Sequence, residues 1–441
     1  MTHKAQIVSQ TLRQIISEMS SVSWLYSRRP GHDFTRKSVL GFEETISILL
    51  AMEGKSLNNE LLKYFNCSEN TPTASAFVQC RSKLLPEAME ILFQRFAAGF
   101  GSEGTYKGYR LMAIDGSDIQ IPVNPDDHDS FFPAKEGVRP RNLIHLNAMY
   151  DLINRTYSDV VIEGSQVCNE QRALTQMVDR SKIMPAILIA DRGYEAYNTL
   201  AHVQEKGWKF LFRVKDGTSG IVSGLDLPAE DEFDICFDLC LTNKETNAVK
   251  ELLKDRNHYK KIHYGHQFDY LPLHNRKKNP TVLYRLSFRV VRFRISDSLV
   301  ETIITNLDSD NFPPNVLKKL YNMRWGIETS FRCLKYTIGL LHFHAKKVEH
   351  ILQEVFARLI MYNYSELIIS CVIVQNGGRK HTYKVNFTAA VQICRQLLCG
   401  NVSPPNVETL IAKYLLPIRP SRSYSRKPST SGLVSFTYRI A

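Results

Sequence analysis

The sequence lacks a long apolar run. The most apolar late segment, LIISCVIV, is far too short to span a bilayer, and the N-terminal residues MTHKAQIVSQTLRQII lack the continuous apolar core of a secretion signal. These two absences argue against a membrane protein and against secretion. We therefore expect a soluble, cytoplasmic protein with no membrane partner.

Paired cysteines are missing as well. Nine cysteines are scattered over 441 residues, without the spacing of a disulfide framework or of a paired zinc motif. Cys236 and Cys240 have no second pair, so buried, reduced thiols are the better interpretation. His342 and His344 lie close together but have no third metal ligand at a credible spacing, so ordinary packing or surface histidines are expected.

An excess of acidic residues is also absent. The chain has 56 Lys and Arg against 44 Asp and Glu, a formal net charge of +12, which favours a polyanionic partner such as nucleic acid. The charge is uneven: residues 244–294 hold 13 basic and 4 acidic residues, whereas residues 226–238 hold six acids and no base. Residues 413–441, with six basic residues and no acid, predict an extended basic arm.

The periodicity of apolar residues changes along the chain. Residues 1–100 have helical spacing, with Thr71 or Thr73 as a helix N-cap. One interpretation is a helix-turn-helix-like DNA reader that exposes Gln79, Arg81 and Lys83; a plain helical packing domain is the other.

From residue 109 the apolar spacing becomes that of strands. The segments YRLMAIDGSDIQIP, NLIHLNAMYDLI and TYSDVVIEGS predict three successive strands, followed by helix, strand (AILIA), helix and strand (KFLFRVKD). This order predicts an α/β fold with a mixed sheet and helices on its faces. A β-rich insertion follows, and the chain is helical again from Pro314.

Two aspartates close apolar runs in this pattern. Asp115 follows LMAI and Asp191 follows AILIA, and glycine comes next at Gly116 or one residue later at Gly193. The carboxyl ends of strands are where open α/β sheets place their chemistry, and glycine permits a turn or a close ligand approach. The alternative is that each aspartate is only a turn residue.

The segment YNMRWGIETSFRCLK carries four chemically different side chains at helical spacing. With Tyr321 at zero, Arg324, Glu328 and Lys335 fall at about 300°, 340° and 320° around a helix, within an arc of roughly 60°. Such a face suits a phosphate backbone held beside a metal-binding carboxylate. A solvated face of mixed charge is the alternative.

Asp115, Asp191 and Glu328 together would concentrate three negative charges, which a folded protein tolerates only with cations. Two Mg²⁺ ions roughly 3.5 to 4 Å apart meet that need and support in-line phosphoryl displacement. Asp118 is a rival to Asp115, but the two are three residues apart along a strand and therefore point to opposite faces. Three further carboxylates lie near the same strand ends: Asp151, Glu163 and Glu195.

With these residues identified, the chain resembles the insertion-sequence-four family of bacterial DDE transposases. The matching segments are IDGS at 114–117, ADRGY at 190–194 and the complete Tyr-x2-Arg-x3-Glu-x6-Lys signature. The resemblance covers roughly residues 109–372 and implies a ribonuclease-H-like catalytic core interrupted by the β-rich insertion.

The resemblance also implies a role for each matching residue. Asp115, Asp191 and Glu328 would be the catalytic, metal-binding triad, holding two Mg²⁺ ions for which Mn²⁺ can substitute. Tyr321, Arg324 and Lys335 are expected to contact DNA. Arg192, beside the second aspartate, is expected either to face DNA as well or to form a structural ion pair.

The implied activity is cut-and-paste DNA transposition: cleavage at the terminal inverted repeats of the element, then attack of the freed 3′-hydroxyl on target DNA. A homodimer on paired ends, associated with the bacterial nucleoid, is the expected form. The alternatives are a metal-dependent nuclease of the same fold and a non-catalytic DNA-binding derivative.

Aromatic residues are the last candidates for DNA contact. Trp208 and Trp325 could stack on a displaced base, but their apolar surroundings favour core packing. The insertion offers Tyr284, Phe288 and Phe293 as stacking candidates.

The sequence predicts five segments in total. They are a helical N-terminal domain, 1–104, expected to bind DNA; the first part of the core, 105–216; the β-rich basic insertion, 217–304; the second part of the core, 305–385; and a C-terminal helix with a basic tail, 386–441.

Overall fold

The computed structural model describes residues 3–100, 104–215, 220–263, 265–271, 282–296, 299–374, 382–400 and 407–418. Its α-helices are α1 (His3–Ser21), α2 (Phe42–Ala51), α3 (Leu57–Tyr64), α4 (Ala74–Arg81), α5 (Ala88–Ala98), α6 (Glu170–Arg180), α7 (Tyr197–Glu205), α8 (Asn247–Leu252), α9 (Pro314–Met323), α10 (Trp325–Arg332), α11 (Val348–Ile369), α12 (Phe387–Leu398) and α13 (Val407–Ala412). Its strands are β1 (Arg110–Ile121), β2 (Phe131–Phe132), β3 (Arg141–Asp151), β4 (Thr156–Gly164), β5 (Ala186–Ala190), β6 (Lys209–Arg213), β7 (Phe233–Thr242), β8 (Tyr259–Lys261), β9 (Tyr284–Ser296), β10 (Leu299–Thr305), β11 (Tyr383–Val385) and β12 (Leu415–Pro417).

One mixed sheet organises the molecule. Its strand order is β2-β3-β1-β5-β6-β10-β9-β7-β8, with β4 paired to the free side of β3. Strands β1, β3 and β4 are antiparallel neighbours, and β5 and β6 run parallel to β1. The predicted mixed sheet, built from three successive strands and two later ones, is confirmed.

Helices cover both faces of this sheet. On one face, Met112 and Ile114 of β1 are buried with apolar residues of α6 and α7. On the other, Ala113 of β1 and Tyr157 of β4 share a core with α1, α2, α5 and the long helix α11. The predicted N-terminal helices therefore pack against the sheet domain through one continuous hydrophobic core.

A buried ionic contact attaches α4 to α11 and corrects one prediction. The guanidinium of Arg81 donates to Glu354 Oε1 at 2.7 Å and to the His350 carbonyl at 2.7 Å. Arg81 and Glu354 are each about 1% exposed. Arg81 is thus a structural residue of the interior and not an exposed DNA reader, while Gln79 is exposed and Lys83 lies over the Phe34 ring.

The strands of the predicted insertion extend the same sheet. Strand β10 pairs with β6, and β9 then pairs with both β10 and β7. The acidic stretch on and before β7 neutralises the arginines of β9. Three ion pairs do this: Arg285 with Asp238, Arg289 with Asp234, and Arg294 with Asp231. The basic character of β9 is therefore largely compensated within the described residues.

Some expectations about single residues in this region are wrong. Phe288 and Phe293 are buried in hydrophobic cores, so neither ring is available to stack on a base. The Tyr284 hydroxyl donates to Glu205 at 2.8 Å. Cys236 is exposed because the inward positions of β7 are taken by Phe237 and Leu239.

The other end of the chain is only partly described. Residues 419–441, which hold most of the predicted basic arm, lie outside the described residues. Among the residues that are described, no helix is long and apolar enough to cross a membrane.

Candidate active site

Asp191 lies where β5 ends, as the sequence predicts. It caps a short 3₁₀ turn, Arg192–Tyr194, and accepts a hydrogen bond from the Arg192 backbone N–H at 2.6 Å. Arg213, the last residue of β6, donates from Nε and Nη2 to the two carboxylate oxygens at 2.8 and 2.9 Å. Arg213 also contacts Glu301 of β10 at 3.2 Å, so Asp191 is held by a guanidinium that is itself fixed.

Asp115 lies inside a strand and not at a turn. Strand β1 continues to Ile121 through its antiparallel pairing with β3, in which Asp115 stands opposite Ala148. Its parallel pairing with β5 stops two residues earlier, at Ala113. The Asp115 side chain therefore projects beyond the end of β5, close to Asp191. Burial raises the pKa of Asp115 to about 6, against an opposing effect of Arg324.

The signature residues are carried by three successive helical segments instead of the single helix that was expected. Helix α9 begins at Pro314, as predicted, and ends at Met323. Helix α10 starts at Trp325, with Arg324 as the junction, and a π-helical turn, Cys333–Ile338, continues from it. Because Arg324 keeps a right-handed helical backbone, the path stays nearly continuous and the face remains roughly aligned.

Arg324 joins the three predicted acidic residues. Its Nη2 donates to Glu328 Oε1 at 2.8 Å and lies 3.9 Å from Asp191 Oδ2. Its Nη1 lies 3.5 Å from Asp115 Oδ2. The residue is only 4% exposed. The Arg324 guanidinium thus lies within 3.9 Å of all three carboxylates that the sequence analysis grouped.

Two polar groups at this site have no hydrogen-bond partner among the described residues. They are the Tyr321 hydroxyl and Arg324 Nε, both fully buried atoms. The Arg324 guanidinium carbon lies 5.9 Å from the Tyr321 ring centre. Burial raises the pKa of Tyr321 to about 12, so its hydroxyl is a donor at neutral pH. A buried donor without an acceptor is costly, which points to an oxygen-rich ligand.

The remaining predicted contacts lie around this centre. Lys335 is half-buried and donates from Nζ to the Asp118 carbonyl at 2.9 Å. Arg192 is exposed beside Asp191. Trp325 is 56% exposed, which contradicts the core-packing expectation, whereas Trp208 is buried as expected. Trp325 faces outwards because its neighbours Arg324 and Ile327 take the inward positions of the helix.

A second cluster beside the triad was missed from sequence. Asp118 points away from Asp115 and accepts from His145 Nδ1 at 2.8 Å and from Ser165 at 2.9 Å. The hydrogen bond to Asp118, followed by the nearby Glu170 carboxylate 3.3 Å from Nε2, raises the pKa of His145 to about 9. The sequence offered only a weak signal, since His145 meets Asp118 through the register of β1 and β3.

The other rival carboxylates are engaged elsewhere. Asp151 pairs with Arg110 at 2.7 Å, and Glu163 pairs with Arg172 at 2.6 Å. Glu195 accepts from the Lys215 backbone N–H. His344 contacts Glu354 at 3.3 Å and the Lys55 carbonyl, which confirms that it is a packing histidine.

A family model and a curated relative both describe transposases. The family described as "Transposase DDE domain" matches residues 106–364. A transposase for the insertion sequence element IS1151 of Clostridium perfringens is 22% identical over 298 residues, covering 60% of this chain and 59% of that protein. The chain therefore spans about three fifths of the length of this curated relative. A cryo-EM structure of the piggyBac transposase synaptic complex with hairpin DNA aligns with a TM-score of 0.45 at 9% identity, covering 97% of this chain and 88% of that one.

Proposed function

Because the chain belongs to the transposase DDE domain family, we propose that it is a DNA transposase that cuts the ends of an element and joins the freed 3′-hydroxyls to target DNA. The observation that carries this proposal is the meeting of Asp115, Asp191 and Glu328 around Arg324, all within 3.9 Å of its guanidinium nitrogens. Hydrolysis and strand joining are both phosphoryl transfers, so one such centre can serve both.

The carboxylates are suited to divalent cations. Proteins of this family generally use such ions, and Asp115, Asp191 and Glu328 would supply the hard oxygen ligands that Mg²⁺ and Mn²⁺ prefer. The raised pKa of Asp115 reflects burial of a carboxylate that one shared guanidinium compensates only in part. Among the described residues no group of three or more Asp, Glu, His or Cys side chains has the arrangement of a metal site, and Arg324 lies between these three carboxylates. Two bound Mg²⁺ ions would activate water or a 3′-hydroxyl and stabilise the developing charge.

The other signature residues, Tyr321, Arg324 and Lys335, are proposed to bind DNA phosphates. The unpartnered Tyr321 hydroxyl and Arg324 Nε are donors that a phosphate oxygen would satisfy. With cations held by the three carboxylates, the Arg324 guanidinium would be available for a charge-assisted contact with the DNA backbone. Lys335 and exposed Arg192 would add point charges beside it.

The expected partners follow from this chemistry. The DNA substrates are the terminal inverted repeats of the element and a target duplex. Joining requires two paired ends, so a homodimer on DNA, working at the bacterial nucleoid, is part of the proposal.

The test is cleavage and strand transfer with Mg²⁺ on DNA that carries the element's own inverted repeats. Asp115→Asn, Asp191→Asn and Glu328→Gln should each abolish both reactions, whereas Glu163→Gln, a carboxylate paired outside the site, should remain active. Full activity in any of the three variants removes that residue from the triad. Cleavage without strand transfer in the wild type would favour a nuclease over a transposase.

The phosphate grip has its own readout. Arg324→Ala should weaken end binding and reduce the slope of log affinity against log salt by about 1. An unchanged slope would remove Arg324 from the DNA contacts.

A further inference from the structure

A small cavity lies between α3 and α12, and it shares no residue with the candidate active site. Its volume is about 140 Å³, and its wall includes Glu60, Lys63 and Tyr64 of α3 and Arg395 and Gln396 of α12. One water needs about 10–15 Å³ of such space. The cavity can therefore hold a small ion together with several waters.

Arg395 is a buried cation in the wall of this cavity, with an exposed fraction of only 3%. Its Nη2 donates to the Ile338 carbonyl at 2.8 Å, at the end of the π-helical turn. Its Nη1 lies 3.8 Å from Glu53 Oε1, which is too long for a hydrogen bond. Its Nε is fully buried and has no partner among the described residues. Because a guanidinium carries five N–H donors and buried donors are normally paired, Arg395 lacks acceptors.

The carboxylates near Arg395 are already engaged by other groups. Glu53 Oε1 accepts a hydrogen bond from Lys63 Nζ at 2.5 Å. Glu60 Oε1 accepts from a backbone N–H at 2.8 Å and lies 3.8 Å from His344 Nε2. Each carboxylate therefore has a closer donor than Arg395, and the Arg395 charge is compensated only in part.

A second buried guanidinium adds positive charge to the same region. Arg358 is 1% exposed and donates to the backbone carbonyls of Met52 and Glu53, the latter at 2.7 Å. Within the part of the chain that the structure describes, Arg358 makes no ion pair and its Nε has no partner. Burial, followed by the charge of Arg395, lowers the pKa of Arg358 to about 10. Burying two cations with so little negative charge is costly unless an anion compensates them.

We propose that this cavity binds a small tetrahedral oxyanion, with inorganic phosphate as the type, through Arg395 and Lys63. A guanidinium presents planar donors that suit two oxygens of a phosphate, and the Lys63 ammonium adds a point charge. The Lys63 side chain is 37% exposed, so the anion can reach the cavity from solvent. Because Arg395 also holds the Ile338 carbonyl, the bound anion would connect α3 and α12 with the end of the π-helical turn.

The site goes beyond the proposed transposition chemistry, because none of its residues belongs to the triad or to the DNA-contacting set. A backbone phosphate of bound DNA offers the same chemistry as a free phosphate ion. The experiment therefore includes one measurement that separates these two sources.

The experiment titrates inorganic phosphate into the full-length chain without DNA, in chloride buffer of constant ionic strength, and measures binding by isothermal titration calorimetry. The wild type should show one saturable site for which sulfate competes. Lys63→Met should weaken phosphate binding about tenfold, because it removes one charge-assisted contact. Arg395→Lys keeps the charge but loses the planar fork, and it should also bind about tenfold more weakly. The matched control Lys254→Met, whose ammonium pairs with Glu251 at 2.5 Å on an exposed surface, should bind phosphate like the wild type.

Three results would overturn the proposal. No phosphate binding by the wild type would show that the cavity holds only water. Wild-type affinity in Lys63→Met would place any bound phosphate elsewhere, and this variant carries the test if Arg395→Lys does not fold. An equal loss in Lys254→Met would show a diffuse attraction of anions to a basic surface.

Terminal-repeat DNA identifies the source of the oxyanion. A free ion predicts that this DNA leaves phosphate binding unchanged and that Lys63→Met binds the DNA with wild-type affinity. Displacement of phosphate by the DNA, with weaker DNA binding by Lys63→Met, would support the same oxyanion site with a DNA phosphate as its ligand.

Discussion

The replacement of Arg81 by methionine tests whether α4 is part of the interior or a DNA reader. Arg81 donates to Gln353, Glu354 and the His350 carbonyl, all on α11, at 3.1, 2.7 and 2.7 Å. Methionine fills much of the same volume but leaves Glu354 buried without this partner. Removing one member of a buried ion pair costs about 3–5 kcal/mol, a large fraction of a typical total stability of about 5–15 kcal/mol.

The assay is urea-induced unfolding, followed by pulse proteolysis so that aggregation of the unfolded chain does not interfere. Arg81→Met should lower the free energy of unfolding by about 3–5 kcal/mol. Gln79→Ala, on the same helix but exposed, should change it by about 0.5 kcal/mol or less. The double variant Arg81→Met with Glu354→Met should recover part of the loss, because an apolar pair tolerates burial better than a lone carboxylate.

DNA binding by Arg81→Met tests directly whether Arg81 contacts DNA. Below its unfolding transition, Arg81→Met should bind terminal-repeat DNA with wild-type affinity and salt dependence. A variant of unchanged stability that binds DNA more weakly would refute the structural role and restore the reader interpretation.

Three further predictions concern single side chains. Burial raises the pKa of Glu366 from 4.5 to about 7. Between these two pH values the folded chain binds more protons than the unfolded chain. The free energy of unfolding should therefore fall by up to about 3 kcal/mol as pH rises from 4.5 to 7. Glu366→Gln should make the fall measured by urea unfolding between pH 5 and pH 8 smaller by about this amount, and the exposed control Glu69→Gln should leave it unchanged. Trp325→Ala should leave stability unchanged, because the side chain is exposed. It should weaken DNA binding by roughly fivefold or more in a filter-binding assay, since stacking on a base contributes about 1–3 kcal/mol. Unchanged DNA affinity would show that Trp325 is not part of the interface. Arg324→Ala should raise the affinity of the DNA-free protein for Mn²⁺ roughly tenfold, about 1.4 kcal/mol, because it removes a cation that competes for three carboxylates. Weaker Mn²⁺ binding would instead show that Arg324 organises the metal ligands.

Local patterns were sufficient for the residues that belong to one element. Asp191 was predictable because five buried apolar residues end directly before it. Arg324 and Glu328 were predictable because a helical repeat places them on one face. The junction between α9 and α10 at Arg324 keeps a helical backbone, so this face stays roughly aligned. The three strands β1, β3 and β4 were predictable from their apolar periods in the same way.

Residues that act across elements were not predictable. Arg213 contacts Asp191 because β5 and β6 end side by side. Glu170 lies close to Gly116 and Gly193 because α6 begins next to the sheet. His145 depends on strand register, which the local sequence does not define. Arg81 was wrongly expected to be exposed. The sequence of the short helix α4 gives no sign that the long helix α11 packs over Arg81.

Other expectations still await a test. The domain boundaries, the homodimer on paired ends and the roles of Lys335 and Arg192 remain predictions. The strands of the predicted insertion belong to the main sheet, so limited proteolysis is the direct probe of where independent units begin and end.

Fe²⁺-directed cleavage of the polypeptide tests most directly whether Asp115, Asp191 and Glu328 form one metal centre. The full-length chain is loaded with Fe²⁺ in place of Mg²⁺ and treated with ascorbate and peroxide, and the fragment ends are mapped by mass spectrometry. We predict cuts near residues 115, 191 and 328 together, suppressed by excess Mg²⁺ and lost in Asp115→Asn. Cuts near only one of these positions, or cuts that persist in Asp115→Asn, would contradict a shared centre.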